Sequence, residues 1–441
     1  MNKNISFLIS ALMLAVVSCT SSSGIDEPLS TDEEEAAFKK LCETRYNSIS
    51  ISAFGDGFNH ARYQYKDSIP PYELYDTDQI LGFAENMIYF QNPDGGWGKN
   101  FDLQRKYTLS ELRQIQKEHK SIAPVTYHLK TEEHGSTMDN QNIHSQIKYL
   151  CQVYDQVKNI PSVDSKPYLD CAVRALQWIL NAQHPESGGF TGADVYGITY
   201  NDNVMSDALT LLRDIARGNG FFAVFPEETR DKAQAAYEKG LDCILKTQIT
   251  VTLGDGTKLL TAWCQQHYHE NLQPRWAREF EPPCICSTES YKVLQFLMEI
   301  ENPSEEIKRA VKAGVEFFDR DDVRIHDKKV VEVPLETPVF WENVKRTDTK
   351  ERVMQDSPGN TNLWARFYAL DSSFDVEKDA RKPIQGTYPP VLSPIWCDRG
   401  CEYVEKYMDM SQERRTGYGY TNTNFTSTLN KYNKWKQKNG L

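Results

Sequence analysis

Apolar positions along this chain recur at steps of three and four over long stretches, the spacing of one buried helix face. Ile143, Ile147, Leu150, Cys151, Tyr154 and Val157 form one such series, and Leu169, Ala172, Val173, Leu176, Ile179 and Leu180 form a second. The spacing returns at Val204, Ala208, Leu211, Leu212 and Ile215, at Ala233, Ala236, Tyr237, Leu241, Ile244 and Leu245, and at Ile307, Ala310, Val311, Gly314, Phe317 and Phe318. Ser304, followed by Glu305 and Glu306, predicts an N-cap and an acidic first turn for the last of these helices. Alternating runs are sparse, and "KKVVEVPL" at 328–335 predicts one short strand.

Between the helices a degenerate unit repeats. One helix ends at "MIYFQ" and gives way to "NPDGGW", a second ends at "WILNAQ" before "HPESGGF", and a third ends at "CILKTQ" before "ITVTLGDG". Each unit is an apolar helix, a terminal glutamine and a glycine-rich turn, and an aromatic closes the first two. The glutamine is placed to bond the unpaired carbonyls of the helix end, and glycine to take the left-handed conformation. Such repetition predicts an all-α dominated fold, an (α/α) toroid or barrel of helical hairpins with few short β-strands. Unequal spacing of the units argues against a strict solenoid.

With 441 residues, 39% of them hydrophobic, the chain is long enough to bury a large core. Its first eighteen residues carry Lys3 and the apolar run "ISFLISALMLAVV", too short for a comfortable membrane span. They resemble a lipoprotein signal, 1–18, in which Cys19 becomes the acylated first residue; an ordinary cleaved signal is the alternative. A flexible acidic tether over 19–36 and a single domain over 37–441 follow. The expected placement is an exported monomer on the outer membrane or cell surface, or at the periplasmic face, attached to the membrane only through the lipid on Cys19.

Ten cysteines leave an odd nine beyond Cys19, which argues against dense disulfide bracing. Cys284 with Cys286, and Cys397 with Cys401, lack zinc-site spacing and read as buried free thiols. A net charge of -12 argues against nucleic acid, which requires a basic face. An anionic ligand stays possible where arginines or a bound cation reverse the sign locally.

Two carboxylates stand out by position. Asp139 in "STMDNQNIHSQIKYL" and Asp202 in "ITYNDNVMSDALTLL" each adjoin an asparagine at the start of an amphipathic helix. Either both are N-caps, or the helix starts lie at one rim of the toroid, where the carboxylates share a hard cation such as calcium. Arg278, Arg366 and Arg399 lie among aromatics, proline or cysteine. They are placed either to pair with buried carboxylates such as Glu279 and Glu281 or to grip the carboxylates of an acidic substrate. His267 reads as a structural donor, Trp97 as the residue that closes its turn, with stacking on a sugar as its alternative, and Lys99 and Asn100 as groups able to reach a substrate from the rim, with a simple turn role equally open for the asparagine.

In order, "QNPDGGWGKN", "STMDN", "ITYNDNVM", "TAWCQQHY", "AREFEPP", "STES", "LWARFY" and "QERRTGYGY" resemble family 10 of the polysaccharide lyases, the pectate lyases with an (α/α) toroid fold, from about residue 85 to 422. The resemblance implies calcium-assisted β-elimination in polygalacturonate, giving 4,5-unsaturated oligogalacturonides. It implies Asp139 and Asp202 as the calcium pair and, with Asn140, as substrate contacts. Arg278 is implied as the base at C5, with Arg366 and Arg399 as ligands of substrate carboxylates; Lys99 remains the candidate at the rim. Arg381 in "KDARK" competes with Arg399, because an insertion separates "LWARFYAL" from "CDRG".

The chain departs from the family pattern in three places. Gln141, Asn142, Ile143 and His144 stand where small residues are usual, Gly98 stands for proline, and "DVEKDARKPIQGTYPPVLSP" is inserted. Two other classes fit the sequence: a glycoside hydrolase on the same toroid, with Asp139 and Asp202 as acid and base, and a noncatalytic lipoprotein that binds acidic glycans.

Overall fold

A computed structural model describes residues 29–62, 65, 69–119, 135–192, 195–341 and 346–441. The signal segment, Cys19 and most of the expected tether lie outside the described residues. The helices are α1 (Asp32–Glu43), α2 (Gly55–Arg62), α3 (Ile80–Phe90), α4 (Leu109–His119), α5 (His144–Val157), α6 (Lys166–Ala182), α7 (Val204–Arg217), α8 (Glu227–Thr247), α9 (Ser287–Met298), α10 (Glu305–Asp319), α11 (Gln412–Gly417) and α12 (Phe425–Lys438). Among the described residues none is long and apolar enough to cross a membrane.

The periodic series become α5, α6, α7, α8 and α10, and Ser304 caps α10 by accepting from Ile307 N at 3.3 Å. Helix α1 begins at Asp32, inside the stretch expected as tether. Thr31 and Glu34 form a capping box at the start of α1, and Glu35 accepts from Leu109 N and Ser110 N at 2.9 and 2.8 Å, tying α1 to the first turn of α4.

Helices α5 with α6, α7 with α8, and α9 with α10 pack as hairpins. Their first members form one row, α5, α7, α9, and their second members another, α6, α8, α10, with α3 leading into both and α12 covering α9 and α10. The core between the rows is rich in aromatics, and Trp97, Trp263, Trp276 and Trp364 are fully buried.

The glutamines join neighbouring helices of the second row. Gln91 Nε2 donates to Gly95 O at 2.8 Å and to Cys171 O, inside α6, at 2.9 Å. Gln183 Nε2 repeats this on Gly188 O and Ala236 O of α8 at 2.9 and 2.8 Å, and Gln248 Nε2 on Thr261 O and Ala310 O of α10 at 2.8 and 2.9 Å. Their targets are thus the turn and the next helix, not the end of their own helix. The reason is geometric: each glutamine leaves the helix in an extended conformation, so its side chain points across to the neighbour. Gly95 and Gly188 have φ of 97° and 73°, and a Cβ there would stand 2.6 and 2.5 Å from carbonyl oxygens of Arg174 and Lys239.

An aromatic closes the third unit as well. The indole nitrogens of Trp97, Trp263 and Trp364 donate to Met87 O, Ile244 O and Phe318 O at 2.7, 2.7 and 2.8 Å, in the last turns of α3, α8 and α10. Phe190 fills the equivalent place after α6 without a donor. Gln91→Ala removes two buried hydrogen bonds and unpairs Arg174, which donates to Gln91 Oε1 at 2.9 Å. We expect a loss of about 2–3 kcal/mol, measured by urea unfolding.

One expectation changes in the strands. The run at 328–335 continues as Lys328–Trp341 and pairs antiparallel with Arg346–Asp356 in a long two-stranded hairpin. Pro334 sits at the register break between Pro334 and Val339, so it interrupts the ladder without ending the strand. The partner strand, "RTDTKERVMQD", is nearly all polar and gives no alternating signal. The other strands are two or three residues long.

The nine described cysteines are free and buried. His267 is fully buried and both ring nitrogens are engaged: Nδ1 with Leu272 O at 2.9 Å, and Nε2 accepting from Cys264 N at 3.0 Å. Burial depresses its pKa to about 4, against a small opposing effect of the Leu272 carbonyl. Between that value and the ordinary histidine value near 6.5, the unfolded chain binds a proton that the folded chain refuses, so folding is penalised as pH falls. His267→Gln should remove about 1.4 kcal/mol per pH unit from the fall in stability on acidification over this window, measured by denaturation at each pH.

Candidate active site

The segment Gln91–Asn100 folds into a platform for the residues that follow Gly135. Thr137 N donates to Trp97 O at 3.1 Å, and Asn92 Nδ2 to the Ser136 hydroxyl at 3.0 Å. Asn142 Nδ2 reaches Trp97 O, Gly98 O and Thr137 O at 2.7, 3.2 and 2.8 Å. The amide of Asn142 thus bolts the two stretches together, and Lys99 is presented to Asp139, with which it forms an ion pair. Asn100, at a φ of 67°, accepts from Asn140 Nδ2 at 3.2 Å.

Asp139 and Asp202 do not cap α5 and α7. Each lies in a single turn of tight helix, Asp139–Gln141 and Asn201–Asn203, that precedes the α-helix, and neither side chain makes a cap bond. The two turns superpose in pattern with the residues exchanged. The central, left-handed position is Asn140 in the first (φ 54°) and Asp202 in the second (φ 51°), conformations that Asn and Asp tolerate best. Between the first turn and α5, His144 N donates to Asn142 O at 2.9 Å across Ile143 at φ 66°, ψ -58°. That is a γ-turn of the rare, strained kind, held on a buried β-branched residue at a cost of about 1–3 kcal/mol.

The two turns touch, and the carboxyls of Asp139 and Asp202 hydrogen-bond to each other. Burial works to raise Asp139, but Lys99, the shared bond with Asp202 and Arg278 hold it below the ordinary carboxylate range. Asp202 moves the other way, raised by its desolvated surroundings and then by Asp139 and Glu289, although one side of it opens to solvent. Two acids pushed apart in this way share one proton, and a cation would displace it.

Asp202, Asn140, Asn201, Arg278, Arg366 and Tyr418 line an open cleft of about 440 Å³, with Asp56 and His60 of α2 at its edge. Arg278 donates through Nε and Nη2 to Glu281 at 2.9 and 2.5 Å, and its guanidinium lies 4.9 Å from the Phe280 ring. Glu281 is buried; burial alone would raise it, but Arg278 and then Tyr418 hold it at about 2. Arg366, 8% exposed, pairs with Glu289 of α9, donates to Gln265 Oε1 at 3.2 Å and stacks on Tyr418 at 4.3 Å. Burial opposes its charge, but Glu289, Tyr418, Cys286 and Glu281 outweigh that and raise its pKa. Its Nε is buried without a hydrogen-bond partner.

The structure therefore brings together Lys99, Asp139, Asn140, Asp202, Arg278 and Arg366. Arg399 shares the Phe280 ring with Arg278 but lies outside the cleft. It donates to Glu413 at 2.8 and 2.6 Å and stacks over Phe280 at 5.3 Å; Arg381 does not line the cleft either. Sequence reasoning named Glu281 as a buried partner for an arginine, and the structure pairs it with Arg278; it passed over Glu289, Gln265 and Tyr418, which complete the orientation of the arginines. Each lies inside a motif already singled out, "AREFEPP", "STES", "TAWCQQHY" and "QERRTGYGY", where a buried acid near a buried arginine was the available signal.

The donor set fits a hard cation. Asp139 and Asp202 offer adjacent carboxylate oxygens, and Asn140 and Asn201 offer amide oxygens on the same turns. Among the described residues no group of three or more His, Cys, Asp or Glu is placed to hold a metal, so a ligand from the substrate would have to complete the shell.

A family model described as pectic acid lyase matches residues 91–384. Two solved structures are similar. One is an aspartate-to-alanine variant of a family 10 polysaccharide lyase from Cellvibrio cellulosa in complex with trigalacturonic acid, 24% identical with a TM-score of 0.56, the match covering 90% of this chain and 100% of that one. The other is the family 10 polysaccharide lyase from the same organism, 24% identical with a TM-score of 0.56, covering 89% of this chain and 98% of that one. No curated protein matches.

Proposed function

Because the chain belongs to the pectic acid lyase family and is a polysaccharide lyase, we propose that it cleaves polygalacturonate by β-elimination to 4,5-unsaturated oligogalacturonides in the cleft between Asp202 and Arg278. The observation that carries this reading is a cleft in which Asp202, one of the acidic pair, faces two arginines, each oriented by a buried glutamate. The proton to be removed lies alpha to a uronate carboxylate, so the transition state gathers negative charge there. Arg366, which lines the cleft with its charge reinforced by Glu289, binds that carboxylate. Arg278, fixed by Glu281 through two hydrogen bonds, takes the C5 proton when its guanidine is in the neutral form; the C5–H electron pair becomes the C4–C5 double bond as the C4–O bond breaks, and the departing oxygen is protonated from water. Lys99, anchored on Asp139, and Asn140 contact the substrate at the rim.

Asp139 and Asp202 would hold calcium, which when bound neutralises the substrate carboxylate. Arg399, held by Glu413, serves a more distant uronate. The (α/α) toroid is our reading of the two helix rows tied by Gln91, Gln183 and Gln248. The lipid on Cys19 and export to the cell surface belong to the same proposal, supported by the sequence of the first nineteen residues.

Ultraviolet absorbance of the unsaturated product, followed at alkaline pH with calcium and with chelator, tests the reaction. A calcium-dependent rise is the expected result. Saturable binding of polygalacturonate with no rise and no new reducing ends would select the noncatalytic glycan-binding reading, and new reducing ends with no unsaturated product would select the hydrolase.

A further inference from the structure

Beside the cleft lies a second cavity of about 350 Å³, within the size range of small-molecule sites. It opens between the segment 49–54, the first turns of α5 and the middle of α7, and Gln141 lines both it and the cleft. Its walls differ in kind from those of the cleft. Ser50 and Ser52, whose hydroxyls are 2.9 Å apart, Gln152, Asp207 and Asp214 supply paired donors and acceptors, over the rings of Phe54 and Tyr149. Those rings stack edge to face at 6.0 Å and are 8% and 3% exposed, so the apolar floor is rigid.

Charge separates the two cavities. Lys99, Arg278 and Arg366 gather at the acidic pair and the cleft, whereas of the side cavity's lining only Lys148 is a cation. His144, which also lines it, is held uncharged by burial, with a pKa near 4. Its Nε2 lies 3.5 Å from Asp207 Oδ2, and Arg213 Nε lies 3.0 Å from Asp214 Oδ1, so both carboxylates are fixed in place. Carboxylates and hydroxyls over an aromatic floor bind vicinal sugar hydroxyls and repel a uronate.

We propose that this side cavity binds a neutral sugar substituent, a single pentose or hexose branch, carried on the uronate chain that occupies the cleft. The inference rests on the pectate lyase reading and makes the enzyme selective for branched over bare galacturonan. Gln141, in left-handed backbone at φ 60°, stands where the branch leaves the main chain.

The test compares kcat/KM for two oligogalacturonides of equal length, one linear and one with a single xylosyl branch, in wild type, Ser52→Trp and Asp207→Asn. Ser52 is exposed at the mouth, so tryptophan there fills the cavity without entering the core. Wild type should favour the branched substrate by about tenfold, expressed in KM. Both variants should lose that preference while keeping the wild-type value on the linear one. Equal values for the two substrates in wild type, or a variant that slows both alike, overturns the proposal. Should neither substrate be cleaved, the same comparison is made by calorimetry. Tighter binding of the branched oligosaccharide then supports the side cavity while the lyase reading falls, and equal or absent binding overturns the side cavity too.

Discussion

Arg278→Lys is expected to lower kcat on polygalacturonate by about a thousandfold with little change in melting temperature. Lysine is the informative replacement because Glu281, beneath Arg278, is buried. Alanine would leave that carboxylate unpaired at a cost of about 3–5 kcal/mol and confuse folding with chemistry. An ammonium keeps the charge but cannot reproduce the two-nitrogen grip on Glu281, so the base loses its aim. The pH profile gives a second readout. A guanidinium is protonated throughout the ordinary range, so wild-type activity should climb steeply above neutrality without levelling. The residual activity of the lysine variant should level off earlier, because an ammonium, even with its pKa raised by Glu281, gives up its proton at lower pH than a guanidinium. A wild-type bell centred near neutrality, or a variant with wild-type kcat, would remove Arg278 from proton transfer.

Asp202→Asn is expected to raise the calcium concentration that gives half-maximal rate by about 100-fold. Asparagine preserves the left-handed backbone at φ 51° and removes only the charge. Asp139→Asn should act on the same quantity and release Lys99 as well. Because the two acids hydrogen-bond to each other, the double variant should fall well short of the product of the single effects. An unchanged calcium response in both single variants would place the cation elsewhere.

Much of this was legible in the sequence, for reasons that can be named. The five periodic helices were readable because each buries one stripe, and the 3.6-residue period exposes that stripe directly. The turn under the site was readable through "QNPDGGWGKN", where glycine permits the turn and tryptophan closes it. Asp139 and Asp202 were conspicuous by position, but the reason they are not caps was hidden. It lies in backbone at Asn140, Asp202 and Ile143 that no propensity favours and only packing enforces. Glu281 was legible as a buried partner for an arginine, but Glu289 was hidden for a different reason: it looks like an ordinary surface acid until the chain brings Arg366 onto it. The polar hairpin partner Arg346–Asp356 was invisible because its pairing is set by the other strand and not by its own pattern.

The glutamine bridges decide where this architecture tolerates change in length. In each unit the amide fixes where the turn begins, and the aromatic that follows fixes where it ends. The path from Gln91 to Trp97 is short, whereas that from Gln248 to Trp263 carries an extra two-stranded loop, Thr250–Thr252 with Lys258–Leu260, yet both deliver an indole to the same place on the preceding helix. Turns between such paired anchors can be lengthened, shortened or grafted without shifting the neighbouring helices, which makes them natural positions for inserted loops or appended modules.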